Sequence, residues 1–291
     1  MVPTNNNTFA ADKELNETLK FNEMSQINTS TTSHFPRIFC FILTCPQNHK
    51  TKAVHVAATW AKHCDNHIFV STQHDPTLPT IVANLAESRK FLWGKTKFAL
   101  SYIYQHYYHK YDYFVKMDDD SFLIVESLKH FLKNKNVYDP VWYGFQMKTF
   151  AEPLNTKYMS GGAGYVISKR ALKVIAKYGL NDSTKCRSGN EGNEDVEIGV
   201  CFAKVGVKRG DSRDESQKEL FFPQSPDIFV PPIMSKEFKV YKERSVFGLE
   251  EPGTKTMPLK PISFHYIKPR MMYVLHYLIY DIQVPKSKRN T

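Results

Sequence analysis

The chain has 291 residues, of which 42% are hydrophobic and 13% aromatic, and its formal net charge is +10. This length suits one large domain or two small ones, and the apolar content excludes a disordered chain. The positive charge would allow nucleic acid, anionic lipid or phosphorylated ligands to bind, and a solvated lysine surface explains it equally well. No paired Cys/His finger and no aromatic RNA-binding signature is present, so nucleic acid is not an expected partner.

The sequence contains features of a secretory protein but no visible membrane-spanning segment. The longest apolar stretch, 38–43, is far shorter than the ~20 residues that span a bilayer, and no signal peptide is visible. The protein is therefore expected either to be soluble as written or to have a membrane anchor upstream of this sequence. Four N-x-Ser/Thr sequons and five cysteines without a CxxC pair favour the secretory pathway, with disulfides more plausible than zinc.

Strands and helices are predicted to alternate along the chain. Residues 1–34 are polar and predict a flexible stem, whereas 35–283 predict the folded domain and 284–291 a basic disordered tail. The predicted elements are strands over 37–44, 67–71 and 111–117, helices over 51–63 and 94–109, and a helix-like segment over 271–280. Val54, Ala57, Ala58 and Ala61 are expected on the buried helix face. This alternation predicts an α/β fold with a mostly parallel sheet.

The run Asp118, Asp119 and Asp120 follows directly on the third predicted strand. Three adjacent carboxylates repel one another unless a cation neutralises them, and oxygen ligands suit Mn²⁺ or Mg²⁺. Ligands bind outside the carboxyl ends of strands in open α/β sheets, which favours a metal site here. The alternative is an acidic helix N-cap, with Asp120 and Ser121 preceding the apolar run 122–125.

Four further segments have both a structural and a functional interpretation. The Gly-Gly-x-Gly of residues 161–164 is a tight turn before a helix near Ser168, or a close approach to a ligand. Glu194 and Asp195 open a helix with Val196, Val200 and Ala203 on its apolar face, and they are dipole-stabilised carboxylates or include a general base. The polar turn 210–214 could be purely structural, and His265 on a short apolar strand could be a core residue or a metal ligand.

Taken in order, eight segments resemble the core 1 β1,3-galactosyltransferases, which belong to the inverting β1,3-glycosyltransferases that include the fringe proteins. They are residues 44–48, 55–60, 93–97, 118–120, 159–165, 194–199, 210–214 and 263–266. The resemblance covers about residues 36–282. It implies a GT-A type α/β fold with a mostly parallel central sheet flanked by helices.

The resemblance also implies an activity and a set of site residues. The implied reaction transfers galactose from UDP-galactose, with Mn²⁺, to O-linked GalNAc on Ser or Thr, giving Galβ1,3GalNAc. The implied metal ligands are Asp118, Asp120 and His265, and the implied catalytic base is Asp195. The implied donor contacts are Thr44, Lys95, Asp118, Asp119, Gly161 and Gly162, with Lys95 touching a phosphate or acting by positioning. Matching cysteine positions imply the disulfides Cys40–Cys64 and Cys186–Cys201, with Cys45 left over.

The chain departs from the family pattern before the Ser-Phe-His-Tyr strand. Residues 239–261 contain neither the Trp-rich segment nor the adjacent cysteine pair, and 225–228 replace a Pro-Glu-His-His stretch. These segments belong to the acceptor side, so a different acceptor such as a glycolipid is an alternative, and a chaperone-like non-catalytic relative is another. The expected partners are a UDP-sugar and a GalNAc-bearing glycoprotein; homodimer formation is left open. The resemblance also implies the Golgi lumen, as a type II membrane protein if an upstream anchor exists and as a soluble form of the secretory pathway otherwise.

Overall fold

The computed structural model describes residues 35–150 and 156–283. The predicted stem, 1–34, and the predicted basic tail, 284–291, lie outside the described residues. Within them, strands and helices alternate in chain order. They are β1 Ile38–Leu43, α1 Val54–Ala58, β2 Asn66–Ser71, β3 Thr80–Val82, α2 Leu92–His106, β4 Tyr113–Asp118, β5 Phe122–Leu123, α3 Val125–Leu132, β6 Val141–Gly144, β7 Gln146–Lys148, β8 Lys157–Met159, β9 Tyr165–Ser168, α4 Lys169–Tyr178, α5 Glu194–Lys204, β10 Lys208–Arg209, β11 Phe221–Phe222, α6 Pro226–Phe229, α7 Lys236–Arg244, β12 Ser263–Phe264 and α8 Pro269–His276.

A seven-stranded sheet with the order β10-β6-β9-β4-β1-β2-β3 forms the centre of the fold. All its neighbouring strands pair in parallel except β9, which runs antiparallel to both β4 and β6. Helices α2, α4 and α5 pack on one another, and α2 and α4 also contact strands of this sheet. The predicted α/β architecture, with a mostly parallel sheet and flanking helices, is confirmed.

Strand β1 explains how the sequence builds this sheet. All six of its residues are buried, because β4 pairs with one edge of the strand and β2 with the other while helices cover the sheet. A continuous apolar run is typical of a parallel strand that is buried on both faces. The carboxyl ends of β1 and β4 lie side by side, with Leu43 opposite Asp118. This register brings the residues that follow both strands to one edge.

A smaller sheet joins distant parts of the chain beside this edge. Its order is β11-β12-β5, and β12 pairs antiparallel with β5, with Phe264 opposite Phe122. The rings of Phe222 and Phe264 stack at a centroid distance of 5.1 Å and hold β11 against β12. Phe222 also contacts Phe229 at a centroid distance of 4.9 Å. The C-terminal part of the chain is therefore fixed next to the turn that follows β4.

Two predicted helix faces are only partly correct. Residues 51–63 form a succession of short helical segments rather than one helix. Of the predicted face, Ala61 is buried, Val54 and Ala57 pack partly buried against the core and Ala58 is exposed, and the other buried hydrophobic side chains are Ala53, Val56 and Trp60. In α5 the buried residues include Ile198, Cys201 and Phe202, whereas Ala203 is exposed. The predicted faces contain only aliphatic residues. The large aromatic side chains Trp60 and Phe202, which the pattern omits, determine which face is buried. No helix within residues 35–150 or 156–283 is long and apolar enough to cross a membrane.

Both implied disulfides are present. Cys40 in β1 is bonded to Cys64, and Cys186 is bonded to Cys201 in α5, while Cys45 is unpaired and half-buried. The second disulfide closes a loop across a sequence separation of 15 residues and ties that loop to α5. It therefore restrains the helix whose first turn contains Asp195.

Replacing both Cys186 and Cys201 by alanine is expected to lower the free energy of unfolding by about 3 kcal/mol, because the unfolded chain regains the entropy of an open loop. Urea denaturation of the oxidised proteins would measure the change. The matched control is Cys45→Ala, which removes a thiol without opening a disulfide. Equal stability of the double variant and this control would contradict the prediction.

Candidate active site

The aspartate run lies at the carboxyl end of β4. Asp118 is the last residue of the strand, and Asp119 and Asp120 form the turn that follows. The helix-cap alternative is wrong, because Phe122 and Leu123 form a strand and α3 begins only at Val125, with no side-chain cap bond at its start. The carboxylates are therefore free to serve a role other than helix capping.

Strand β12 brings His265 to this turn. Because Phe264 pairs antiparallel with Phe122, His265, the residue that follows β12, lies beside the residues that precede β5. The imidazole Nε2 is 3.2 Å from Asp120 Oδ1 and 4.0 Å from Asp118 Oδ2. Tyr266 then adopts a left-handed backbone conformation with φ of 53°, and Ile267 donates a backbone hydrogen bond to the carbonyl of Asp120 at 2.8 Å. This strained turn locks the strand end onto the aspartate turn.

Asp118, Asp120 and His265 have the geometry of a divalent-metal site. One ligand atom from each residue lies within 4.8 Å of the other two. Among the described residues, no other group of three or more Asp, Glu, His or Cys side chains has this property. Ligands at about 2.1 Å from an octahedral ion lie about 3 Å apart, close to the observed His265–Asp120 separation. Two carboxylates and an imidazole are suitable ligands for a first-row or hard divalent cation. The donor set therefore fits a metal.

Asp120 is held in its ionised form. Its other oxygen, Oδ2, accepts a hydrogen bond from the Lys52 ammonium at 2.8 Å. Although burial opposes ionisation, the hydrogen bonds and charges of His265 and Lys52 hold the pKa of Asp120 well below its usual value. A carboxylate that is already deprotonated can bind a cation without losing a proton.

Asp119 points away from the metal ligands and into the protein. Its Oδ2 accepts hydrogen bonds from Thr44 Oγ1 at 2.7 Å and from Asn48 Nδ2 at 2.9 Å. Burial raises the pKa of Asp119 to about 6, and these hydrogen bonds and the Lys52 charge oppose the rise. Asp119 thus ties the loop after β1 to the turn after β4.

Lys95 lies in α2 behind the same loop. Its side chain is buried, and its ammonium donates to the Thr44 carbonyl at 2.8 Å and to the two Glu87 oxygens at 3.0 and 3.1 Å. Lys95 does not line the cleft of about 800 Å³ into which Asp118, Asp195 and His265 open. This arrangement favours the positioning role over a direct phosphate contact.

The glycine turn of residues 161–164 allows three elements to meet. A Cβ on Gly162 would overlap the imidazole of His265, and a Cβ on Gly161 would lie 2.8 Å from Glu194 Oε2. Gly164 has a φ of 77°, which L side chains rarely adopt. A strand, β9, separates this turn from helix α4, whose N-cap Ser168 accepts a hydrogen bond from Ala171 N at 3.1 Å. The turn is therefore a packing requirement of the site, and the helix near Ser168 is confirmed.

Asp195 lies in the first turn of α5, on the opposite side of the glycine turn from His265. Its Oδ2 accepts a hydrogen bond from Gly161 N at 3.2 Å, and the carboxylate lines the cleft. Burial raises the pKa of Asp195 above its usual value, and the Gly161 hydrogen bond and the Lys116 charge oppose the rise. A carboxylate with a raised pKa is a stronger proton acceptor than an exposed one.

Lys116 lies between Asp118 of the aspartate turn and Glu194 at the start of α5. This residue of β4 is 2% exposed, and its ammonium lies 2.7 Å from Asp118 Oδ1, 3.0 Å from the Gly161 carbonyl and 3.5 Å from Glu194 Oε2. Despite burial, the Asp118 and Glu194 charges hold the pKa of Lys116 above its usual value. Glu194 also accepts a hydrogen bond from Tyr165 at 2.6 Å. One buried cation thus fixes the aspartate turn, the glycine turn and the start of α5.

Replacing Lys116 by methionine is expected to lower the free energy of unfolding by about 3–5 kcal/mol, because Glu194 and Asp118 would lose the partner of a buried charge. Urea denaturation would measure the loss. The control Lys185→Met removes a half-exposed lysine that pairs with Asp182 at 3.2 Å, for which less than about 1 kcal/mol is expected. Comparable losses in the two variants would contradict the assignment.

The site opens into a cleft with a volume of about 800 Å³. Asp118, Asp195 and His265 line it, as do basic and aromatic side chains that the sequence patterns did not identify. These are Arg89, Lys90, Arg187, Tyr241, Arg244 and Tyr266. Lys52 and Lys116 were missed as well. For Lys116 a signal existed, since a lysine inside an otherwise apolar strand needs a buried partner.

Comparisons with known proteins agree with this geometry. A family profile described as Fringe-like matches residues 33–214. The chain is 36% identical over 248 residues to glycoprotein-N-acetylgalactosamine 3-beta-galactosyltransferase 1 of Xenopus laevis, a match that covers 85% of the chain and 67% of that relative. This chain belongs to the Fringe-like family. Within it, the Xenopus relative groups the chain with the core 1 β1,3-galactosyltransferases, as the ordered motifs predicted.

Other relatives of this Fringe-like protein are more distant. The beta-1,3-glucosyltransferase of Mus musculus is 28% identical over 173 residues, which cover 58% of the chain and 34% of that protein. Among solved structures, A197 from STIV is 12% identical with a TM-score of 0.34 over 60% of the chain and 80% of that protein, too low a similarity to support a conclusion. The family profile ends just after residues 210–214, so it includes the aspartate turn and Asp195 but not His265.

Proposed function

We propose that this Fringe-like protein is an inverting β1,3-galactosyltransferase that transfers galactose from UDP-galactose to O-linked GalNAc on Ser or Thr, forming Galβ1,3GalNAc. One observation carries the proposal: Asp118 and His265 of the metal-ligand group line the same cleft as the half-buried Asp195, whose carboxylate has a raised pKa, and one glycine turn contacts both. The name of the Xenopus relative supports the substrate assignment.

The donor would lie over the metal-ligand group. Asp118, Asp120 and His265 would hold Mn²⁺, which, when bound, stabilises the charge that develops on a diphosphate leaving group. Asp118, Gly161 and Gly162 line the cleft and would touch the donor. Thr44, Lys95 and Asp119 would act one layer further back, by fixing the loop and turn that hold those residues.

Asp195 would act as the general base. Its carboxylate would take the proton from the attacking acceptor hydroxyl. A positioned base of this kind accelerates the step relative to proton transfer to water. A single displacement from the face opposite UDP inverts the anomeric centre and needs no nucleophile from the protein. Gly161 N holds the base oxygen at 3.2 Å in the free enzyme and so limits the orientations of the carboxylate.

The acceptor side supports a second candidate, in which the donor chemistry is kept and another acceptor such as a glycolipid is used. Tyr241 and Arg244 of α7, with Tyr266, line the cleft in the region that lacks the Trp-rich and cysteine-pair segment. A non-catalytic, chaperone-like role is not favoured by the intact metal-ligand group. The secretory pathway, with the Golgi lumen as the site of action, is the compartment that this proposal requires.

The test is an assay of the purified protein with Mn²⁺, a panel of UDP-sugars and two acceptors, a GalNAc-peptide and a galactose- or GalNAc-terminated glycolipid. Transfer of galactose to the peptide, lost on chelation of the metal, is the expected result. Transfer to the glycolipid alone would select the second candidate. Absence of metal-dependent binding or turnover for every UDP-sugar would refute the enzyme assignment.

A further inference from the structure

Three basic side chains of the cleft lack an ionic partner within the described part of the chain. Arg89, Lys90 and Arg244 line the cleft, and all three are exposed. No carboxylate of residues 35–150 or 156–283 lies within ion-pair distance of them. We call these three residues the rim cations. Unpaired basic groups in a cleft attract anionic ligands, because a concave surface concentrates their field.

Other charged side chains of the cleft already have partners. Arg187 Nε lies 3.1 Å from Glu197 Oε1, and Lys116 Nζ lies 2.7 Å from Asp118 Oδ1. Glu191 is exposed on the cleft and has no such partner among the described residues, so it can balance one rim cation. Outside the metal-ligand group and the proposed base, the cleft therefore keeps a surplus of positive charge.

Arg89 and Lys90 lie beside the start of α5. They belong to the short helical turn Arg89–Phe91, and the Lys90 carbonyl accepts a hydrogen bond from Gly192 N at 3.2 Å. Asp195 follows closely on Gly192 in the chain. The backbone of these two rim cations is thus fixed close to the segment that contains the proposed base.

Arg244 approaches the same base from α7. It is the last residue of that helix and lines the cleft together with Tyr158. Burial raises the pKa of Tyr158 to about 12, the Asp195 charge adds to the rise, and the Arg244 charge opposes it. A charge shifts a pKa in this way only from nearby, so Tyr158 lies close to both residues. Helix α7 therefore brings a cation to the side of the cleft on which Asp195 lies.

The donor would not neutralise the rim cations. A UDP-sugar diphosphate has two negative charges and a divalent ion has two positive ones, so the two together add no net charge. In the proposed function they lie over the metal-ligand group, across the glycine turn from Asp195. The rim cations would instead face the acceptor, which must approach Asp195 to lose its proton.

We propose that the rim cations select a glycopeptide acceptor that has acidic residues next to the GalNAc-bearing Ser or Thr. The inference rests on the proposed function for the reacting sugar, and it adds the charge of the peptide that carries this sugar. A guanidinium binds a carboxylate through two parallel hydrogen bonds, so Arg89 and Arg244 can hold acidic side chains in place. Arg244 lies within 239–261, where the chain departs from the family pattern.

Binding of three peptides tests the charge preference without any need for turnover. The fluorescein-labelled GalNAc-peptides differ only beside the glycosylated threonine, where they have glutamate, alanine or lysine. Fluorescence anisotropy in the presence of Mn²⁺ and UDP measures their affinities. The glutamate peptide is expected to bind about fivefold more tightly than the alanine peptide, and the lysine peptide more weakly than either. At about 1 M salt, where the screening length is about 3 Å, the three affinities should converge.

Two substitutions of Arg244 assign the preference to this residue. Arg244→Gln is expected to weaken binding of the glutamate peptide about fivefold and to leave UDP affinity nearly unchanged. Arg244→Glu should reverse the order, so that the lysine peptide binds more tightly than the glutamate peptide. The matched control Lys242→Gln removes another cation from the last turn of α7, one that pairs with Glu251 at 2.6 Å and does not line the cleft. It should leave all three peptide affinities unchanged.

Three results would overturn the proposal. One is the absence of any difference among the three peptides, whether all bind equally or none binds. Another is an unchanged order of affinities in Arg244→Glu. The third is a loss of UDP affinity in Arg244→Gln as large as the loss for the glutamate peptide, which would assign this cation to the donor diphosphate. Charge-dependent binding without galactose transfer would refute the proposed function and leave the acceptor preference standing.

Discussion

Replacing Asp195 by asparagine is expected to lower the rate of galactose transfer at least about a thousandfold while leaving UDP affinity nearly unchanged. Asparagine keeps the size of the side chain and can still accept the hydrogen bond from Gly161 N, so the start of α5 should retain its position. It cannot take the proton of the acceptor hydroxyl. The metal-ligand group, which lies across the glycine turn, remains intact.

The measurement pairs single-turnover transfer with UDP binding by calorimetry in the presence of Mn²⁺. Asp227→Asn is the matched control, because it makes the same carboxylate-to-amide change at an exposed position in α6. A transfer rate for Asp195→Asn within tenfold of the control would remove Asp195 from the base role. A parallel loss of UDP affinity would instead assign it to donor binding.

Replacing Asp120 by alanine is expected to weaken Mn²⁺ binding by more than about 100-fold, because loss of even outer-shell partners of a metal typically costs 10–100-fold. Two partners of the carboxylate would be left. The Lys52 ammonium would keep only the more distant Asp119 oxygen, at 3.7 Å, and would place a less well balanced positive charge in the site, and His265 Nε2 would lose a neighbour at 3.2 Å. Both changes make the site less attractive to a cation. UDP affinity in the presence of Mn²⁺ should fall with the metal.

Electron paramagnetic resonance of Mn²⁺ titrated into the protein measures binding without any need for turnover. His265→Ala should reproduce the loss, whereas Asp227→Ala, at the exposed site in α6, should not. Retention of wild-type Mn²⁺ affinity by Asp120→Ala would show that the aspartate turn is not the metal site. Retention by His265→Ala alone would reduce the ligand group to the two aspartates.

Local patterns predicted the parts of this site that depend on neighbours in the chain. The apolar run of β1 and the apolar strand that ends on Asp118 predicted a sheet whose carboxyl edge has acidic residues. The first turn of α5, with Glu194 and Asp195, was predicted as well. In each case the residues that define the strand or helix belong to the same element as the acidic residues. The local pattern is therefore sufficient to predict where these carboxylates lie in the element.

Residues buried by tertiary contacts were predicted less well. The aliphatic pattern predicts only part of the buried face of 51–63 and of α5, because the burial of Trp60 and Phe202 depends on what packs against them. For Lys95 the motifs left a phosphate contact and a positioning role open, and its hydrogen bonds to Glu87 and to the Thr44 carbonyl, which favour positioning, are tertiary contacts. Lys116, the cation that joins Asp118 to Glu194, was not identified at all.

The residue pattern alone predicts a buried strand that ends on the aspartate run, and the order of the motifs identifies the family. That these carboxylates do not cap a helix follows from strand pairing, since Phe122 and Leu123 pair with β12 instead of starting α3. The same pairing sets His265 Nε2 at 3.2 Å from Asp120 across 145 residues of chain. Contacts at such separation depend on strand register and on the space left by Gly162, which no local pattern encodes.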